Sequence, residues 1–481
     1  MQGPHAGRRG SDVWNVDATH AADAFKGAAH ATPLRVYLGR RPESSSRRAA
    51  APKPRGLLRT KHRRVAITGI GPITATGIGV AGLRAGLRAG VSPVAAVTAF
   101  DATPFRSQMA AEVHDFDAAE ILGAKLARRT DRFVQFALAA SVLAWNDSGL
   151  ESEPGYEPGT PRANRTAVMM GSAMGGIAHA ETQLRSFIER GARVLDPRLA
   201  TTTFAGAASC QVAIHLGITG PNSTNAMSCA AGTMAIGEAA RLIREDHVDV
   251  ALAGGADAPL APVCYGAFAS LRAMSTRNGD PTRACRPFDA DRDGFVMGEG
   301  ACVLVLEEWS HAIERGATIY AEVAGYGTNN DAFHMAAPRP DGSSAAKAIT
   351  QALDAARLPA EALDHLNAHG SSTDLNDRTE SLAIRGALGG HADRISVSAT
   401  KPFHGHALGA SGAIEAAITC LTICDGWAPP VLNLESAGEG CDLDYVTGEG
   451  RSEAVNAAVS TSFGFGGINA VLVLTAPGFH A

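Results

Sequence analysis

The sequence has no Cys-x-x-Cys pair, no apolar run of membrane-spanning length, few aromatic residues and no excess of positive charge. Its eight cysteines stand singly at 210, 229, 264, 285, 302, 420, 424 and 441, so neither a zinc ribbon nor a thioredoxin-type redox site is expected. Cys420 and Cys424 sit among Ala416, Ile418 and Leu421 and read as core filling. The scatter suits a reducing compartment better than a disulfide framework. Without an apolar stretch of about 20 residues no membrane span is expected, and the chain reads as soluble. A formal net charge of −5 gives no footprint of a general nucleic-acid binder. The acids of Arg286–Ala301 lack the order of a calcium-binding EF-hand loop, and the segment reads as a salt-bridged structural loop.

What is present is a chain of 481 residues, long enough for two or three domain-sized units, with 53 glycines that imply many tight turns and close backbone approaches. Residues 1–61 stand apart: rich in Ala, Arg and Ser, with only four acids (Asp12, Asp17, Asp23, Glu43) and no hydrophobic period. A disordered tail is the default reading, and a transit peptide or a misassigned start codon stays open.

From Arg63 the pattern changes to short strands alternating with helices. Strands are expected at Arg64–Gly71, Ala167–Gly171, Val248–Ala253, Ala321–Ala324, Leu366–Ala368, Ile395–Ser398 and Ala470–Leu474. Helices are expected at Arg132–Trp145, Ala345–Ala356, Asp377–Leu388 and Gly412–Cys424. The alternation means α/β architecture with largely parallel sheets, parsed as two similar halves joined near residues 310–320.

Four segments carry chemistry. In Gly220–Gly232, Cys229 falls at a strand-to-helix turn, where free N–H groups and the helix dipole favour thiolate and can hold an oxyanion. In Asn367–Asp377, a strand ends at His369, a residue able to move protons near neutral pH. In Ser398–Gly412, Lys401 stands before His404 and His406, and spacing does not choose between the two histidines. A lysine beside an apolar cavity biases a neighbouring histidine toward neutrality. In Thr461–Ala470, alternating Gly and Phe suit a gate or a backbone N–H brought close to a ligand.

Together these segments resemble the β-ketoacyl-acyl-carrier-protein synthases, nearest the type II elongating enzymes, from about Arg63 to Leu474. Arg286–Ala301 and Ser462–Asn469 are the most specific to that family. The resemblance implies a thiolase-like five-layered αβαβα fold from two pseudo-equivalent halves, residues 62–316 with the nucleophile and 317–477 with the histidines. It implies that Cys229 is acylated, that His369 and His406 are the catalytic pair supported by Lys401, and that His404 is a bystander. Phe465 is then the gate whose backbone N–H joins that of Cys229 in an oxyanion hole, and Ser371 and Thr373 contact substrate.

The implied reaction is a decarboxylative Claisen condensation of malonyl-carrier with the acyl-enzyme, in fatty-acid or related polyketide elongation. It needs no cofactor and no catalytic metal, although Glu415 could belong to a structural monovalent-cation site. The implied partners are an acyl carrier protein and a second copy of the chain, in the cytoplasm, with organelle targeting by residues 1–61 left open. Ile468, Ala336, Ser371, Asp374, Pro402 and Phe403 depart from the family pattern; none removes a reacting group, and they put substrate preference in question. Two rivals remain. A thiolase-type acyl-CoA enzyme would carry a second cysteine near the last glycine motif, and a non-catalytic chain-length partner would lack Cys229.

Overall fold

A computed structural model describes residues 63–479; the readings of residues 1–61 lie outside the described residues. Its main strands are β1 (Val65–Thr74), β2 (Thr166–Gly171), β3 (Asn222–Asn225), β4 (Val250–Asp257), β5 (Gly300–Glu308), β6 (Ala321–Asn330), β7 (His365–Asn367), β8 (Ser396–Ser398), β9 (Ala457–Gly464) and β10 (Ile468–Thr475). The longer helices that matter here are α1 (Arg132–Asp147), α2 (Ile177–Arg190), α3 (Ala207–Leu216), α4 (Ala231–Arg244), α5 (Pro262–Ser270), α6 (Ser343–Ala356), α7 (Asp374–Leu388) and α8 (Ser411–Asp425). Every expected strand and helix is present, within a few residues of its expected bounds.

The strands hydrogen-bond in the order β8-β7-β9-β10-β6-β1-β5-β4-β2-β3. This order is a palindrome. From β1 outward the partners run antiparallel, antiparallel, parallel, parallel, and from β6 outward the same sequence repeats. Strands β1 and β6 are themselves antiparallel, so the expected largely parallel sheet is corrected to a mixed one whose centre is antiparallel. Even the irregularities match: β1 slips register against β5 at Gly69, and β6 slips against β10 at Gly325. Gly69 and Gly71 lie under carbonyls of α1, and Gly325 and Gly327 under carbonyls of α6, where a Cβ would collide. The glycine-rich composition is used here for close helix-on-strand approach.

Both faces of the strands are covered. Leu304 and Leu306 point into a central core with Ile236, Ile243, Ile414 and Leu421, while Val303 and Val305 point into an outer core with Phe133 and Phe136. In the other half Leu472 and Leu474 share the central core, and Val471 and Val473 face Ile349 and Ile384. This period of two, apolar on both sides, is what a fully buried strand requires. It yields five layers, with α4 and α8 in the middle. The stretch Leu408–Asp425 is apolar enough over 18 residues to cross a membrane by composition, and it is 89% buried as this middle helix.

Strands β3, β5 and β9 were not anticipated from the sequence. β3 is a polar edge strand of four residues, Asn-Ser-Thr-Asn, without the apolar signature that marks a strand. The segment Arg286–Gly300 is the expected structural loop: Arg286 Nε donates to Asp289 (2.8 Å), Arg292 pairs with Asp374 (3.0 Å), and the Phe288 N–H donates to Asp377 (2.8 Å). The loop also buttresses the segment after β7, because the Arg286 N–H donates to Ser372 Oγ (2.9 Å).

Candidate active site

The middle layer ends in a cavity of 460 Å³ lined by Cys229, His369, His406, Phe463 and Phe465, with a mouth that includes Leu271, Arg272, Met335 and Leu375. Three loops, carrying Cys229, His369 and His406, each deliver a side chain to its floor, the first of them from the other half of the chain.

Cys229 comes from the turn between β3 and α4. Ser228 holds a left-handed backbone, φ 49°, and Ser228–Ala230 form one tight helical turn before α4 begins. This bend leaves Cys229 9% exposed, at the mouth of a helix. Burial works against the thiolate that the helix terminus was expected to favour. Burial pushes the thiol up to about 11, against the opposing pull of Lys401 and of the N–H groups of Phe465 and Cys229 itself. The desolvation of an anion outweighs a dipole whose reach is one turn.

His369 follows β7. Its N–H and that of Gly370 donate to the two oxygens of buried Glu380, each at 2.8 Å, and Thr461 Oγ1 donates to the same carboxylate at 2.8 Å. Lys401 is fully buried. Its ammonium pairs with Glu415, donates to the His369 carbonyl, and lies 3.2 Å from His369 Nδ1. An ammonium only donates, so Nδ1 is the bare nitrogen and Nε2 carries the proton into the cavity. Burial, then the Lys401 charge, holds the His369 pKa well below its ordinary value.

His406 stands at 3.0 Å from the thiol through Nε2, and its Nδ1 lies 2.9 Å from Ser411 Oγ. Its ring meets His369 edge-on at 5.4 Å and Phe295 at 5.3 Å. Burial and Lys401 keep it neutral as well. The structure thereby chooses between the two histidines that spacing left open. His404 is fully buried, contacts Thr400 Oγ1 at 3.3 Å, and does not line the cavity.

Phe465 tops the floor, stacked at 6.2 Å on Phe268 of α5. Gly464 before it lies so near the nucleophile that a Cβ there would sit 3.2 Å from the Cys229 nitrogen. Among the described residues no backbone oxygen accepts from the N–H of Cys229 or of Phe465. Ser371 and Thr373 both line the cavity, their hydroxyls 2.9 Å apart, and Thr373 also caps α7.

Glu415 serves first as the partner of Lys401. Its second carboxylate oxygen, Asn367 Oδ1 and Ser460 Oγ are buried without a hydrogen-bond partner. Asn367 Nδ2 donates to the Glu415 carbonyl (3.1 Å), and Asn367 is paired with Ser460 in register. Such oxygen donors suit a hard monovalent cation and not a transition metal. Among the described residues no cluster of His, Cys, Asp and Glu has metal-site form.

Sequence reasoning missed Glu380, Ser411, Phe268, Phe295 and Asp257. Glu380, Phe268 and Asp257 lie outside the segments singled out above, and Ser411 and Phe295 lie inside two of them without any signal of their own. Asp257, at the end of β4, is wholly buried and accepts from Ser172 Oγ (2.8 Å) and from the N–H groups of Ala173 (2.8 Å), Met174 (3.0 Å) and Gly409 (2.7 Å).

Comparison with known proteins agrees with this geometry. Residues 62–312 match the family model described as beta-ketoacyl synthase, N-terminal domain, and residues 320–435 match its C-terminal domain. The chain is 43% identical over 413 residues to 3-oxoacyl-[acyl-carrier-protein] synthase 2 of Coxiella burnetii, covering 86% of this chain and 98% of that protein. It is 44% identical over 410 residues to the protein of that name in Synechocystis, covering 85% and 97%. Among solved structures it superposes with a TM-score of 0.79 on a beta-ketoacyl synthase from Burkholderia phymatum, 35% identical, covering 86% and 99%. A type II polyketide ketosynthase, solved with its acyl-carrier protein and bound to the hexaketide, gives a TM-score of 0.79 at 34% identity, covering 86% and 100%.

Proposed function

Because the chain belongs to the beta-ketoacyl synthase family, we propose that its condensing chemistry runs on Cys229 as nucleophile, His406 as base and His369 as proton-bearing donor. The chain is a 3-oxoacyl-acyl-carrier-protein synthase, an acyltransferase that lengthens acyl chains on a carrier. The observation that carries the residue assignment is the 3.0 Å contact between His406 Nε2 and the Cys229 sulfur on the floor of a cavity that His369 also lines.

In the first stage His406 Nε2 takes the thiol proton as sulfur attacks the carrier thioester. The N–H groups of Cys229 and Phe465 hold the tetrahedral oxyanion, and the carrier thiol leaves with a proton from solvent. In the second stage malonyl-carrier loses carbon dioxide, and the resulting enolate oxygen accepts from His369 Nε2–H and from protonated His406. The enolate carbon bonds to the acyl carbon, and Cys229 departs as thiolate and recovers its proton from His406. One proton is consumed per turnover and no redox group enters. Ser371 and Thr373 offer hydroxyls to the arm that carries the substrate. Glu415, Asn367 and Ser460 would hold a monovalent cation, outside the reaction.

The carrier partner follows from the family, and a homodimer is our reading of the surface. The edge strand β3 has an open side, and Leu184, Phe187 and Ile188 of α2 with Ile214 of α3 are exposed. Residues 62–316 and 317–477 are taken as the two halves of the repeat, and a cytoplasmic location is supported by eight free cysteines. Fatty-acyl or polyketide substrates are both compatible with the cavity.

The intact thiol separates this reading from a non-catalytic chain-length partner. Incubation with acyl-carrier should add the acyl mass to the Cys229 peptide, and a Cys229→Ala protein should gain none. Absence of the adduct with a competent carrier would favour the scaffold.

A further inference from the structure

The two histidines of the floor differ in what meets their second nitrogen. For His369 it is a donor, the Lys401 ammonium, at 3.2 Å. For His406 it is the Ser411 hydroxyl, at 2.9 Å, in a fully buried first turn of α8. Among the described residues that hydroxyl has no other hydrogen-bond partner, so nothing else there fixes its rotor. The other end of His406 settles the direction. Sulfur is a weak acceptor, whereas a thiol proton can be given to a bare imidazole nitrogen. The arrangement S–H to Nε2 with Nδ1–H to Ser411 Oγ uses a good acceptor at both ends. The reverse arrangement would aim Nε2–H at sulfur.

We propose that Ser411 is a positioning residue that fixes His406 in the Nδ1–H tautomer, leaving Nε2 as the base for Cys229 while Lys401 fixes His369 in the opposite tautomer. The division of labour between two chemically identical side chains then resides in Ser411 and Lys401. It is also consistent with protonated His406 in the second stage, since Ser411 Oγ remains an acceptor for Nδ1–H when Nε2 gains the thiol proton. No proton passes through Ser411. This inference rests on the assignment of Cys229 and His406 above.

The test is Ser411→Ala, a change of one buried oxygen. Transfer of acyl from carrier to Cys229, followed by mass in single turnover, should slow between about 10- and 100-fold, as expected for a misdirected base. Decarboxylation of malonyl-carrier by a Cys229→Gln protein should not fall when Ser411→Ala is added, because His369 Nε2–H still donates to the enolate and an Nε2–H tautomer of His406 adds a second donor. Ser411→Thr, which keeps the hydroxyl, should restore most of the acylation rate. Nitrogen-15 shifts of labelled histidine should place the His406 proton on Nδ1 in the parent protein and on Nε2 in Ser411→Ala. Equal loss of both half-reactions, unchanged acylation, or a parent spectrum with the proton on Nε2 overturns the proposal. The nitrogen spectrum reads the tautomer whether or not Cys229 takes an acyl group, so failure of the functional reading shows separately as absence of the adduct in the parent protein.

Discussion

The turn that carries the nucleophile and the turn that follows His406 are the same piece of structure used twice. Ser228–Ala230 leads into α4 and Leu408–Ala410 into α8. Both begin with a non-glycine residue in the left-handed region, Ser228 at φ 49° and Leu408 at φ 46°. By this correspondence Cys229 matches Gly409, and the last residue of β4, Asp257, matches the last residue of β9, Gly464. The difference lies in the fate of one N–H. At Gly409 it is bound by the Asp257 carboxylate at 2.7 Å, which ties the histidine loop to the nucleophile half. At Cys229 the matching position is a glycine with no side chain to accept, and the N–H stays free for a substrate oxygen. One copy of the turn is a fastener, and in the mechanism we propose the other is an oxyanion donor.

The largest effect should come from the residue that makes the copies unequal. Cys229→Gln should lower condensation by more than about 10⁴-fold, the scale seen when a nucleophile is removed. Malonyl decarboxylation should remain measurable by carbon dioxide release, since enolate stabilisation belongs to the histidines. Loss of both activities in a folded variant would contradict that separation.

Breaking the fastener should cost less. Asp257→Asn keeps the shape but presents an amide to a set of four donors, three of them backbone N–H groups. Burial already pushes the Asp257 carboxyl up to about 6, so its hold depends on those donors. Condensation should fall between about 10- and 100-fold as the His406 loop drifts from the sulfur. Stability should fall by about 3 kcal/mol, the order of a few buried groups left unpaired, read by chemical denaturation. An unchanged rate would mean that Ser411 and packing alone hold His406 in place.

Filling the free side of the other copy should cost least among the substitutions. Gly464→Ala puts a methyl 3.2 Å from the Cys229 nitrogen. It should lower the acylation rate by about 10-fold, short of the 10²–10³ expected for outright loss of an oxyanion donor, with little change in melting temperature. A larger loss in stability than in rate would mark Gly464 as a packing residue.

How much of this was legible in the sequence follows from the range of each interaction. That Cys229, His369, His406 and Phe465 belong to one site was legible because each sits in a short run with glycine and small residues near a strand end, and Lys401 lies in one of those runs. The alternation of elements gave the α/β class, and the doubling was suggested by the repeated order of strands and helices. Asp257, Glu380 and Ser411 were not legible. Asp257 meets Gly409 across 152 residues, and Glu380 acts through two backbone N–H groups that no side-chain pattern reveals. Ser411 lies only five residues from His406, yet a serine opening a helix reads as an ordinary first-turn residue. The burial of Cys229 was not legible either, because a helix N-terminus is visible in sequence and the depth of a cavity floor is not.

That last point can be sharpened by titration. A thiol lowered by a helix dipole alone would be largely thiolate by pH 8. With the Cys229 thiol pushed up to about 11, the thiolate is scarce at pH 7 and its fraction grows about tenfold for each pH unit above it. Alkylation of Cys229 by iodoacetamide, scored by mass, should therefore keep rising from pH 7 through pH 9 without a plateau. His406, held neutral well below the ordinary histidine range, adds no inflection between pH 6 and 8. A plateau below pH 8 would mean that the first copy of the turn stabilises an anion on sulfur as well as on a substrate oxygen. The rise predicted here instead means that the pull of those N–H groups does not hold an anion on resting sulfur, so that charge appears on Cys229 only when His406 takes the proton during attack.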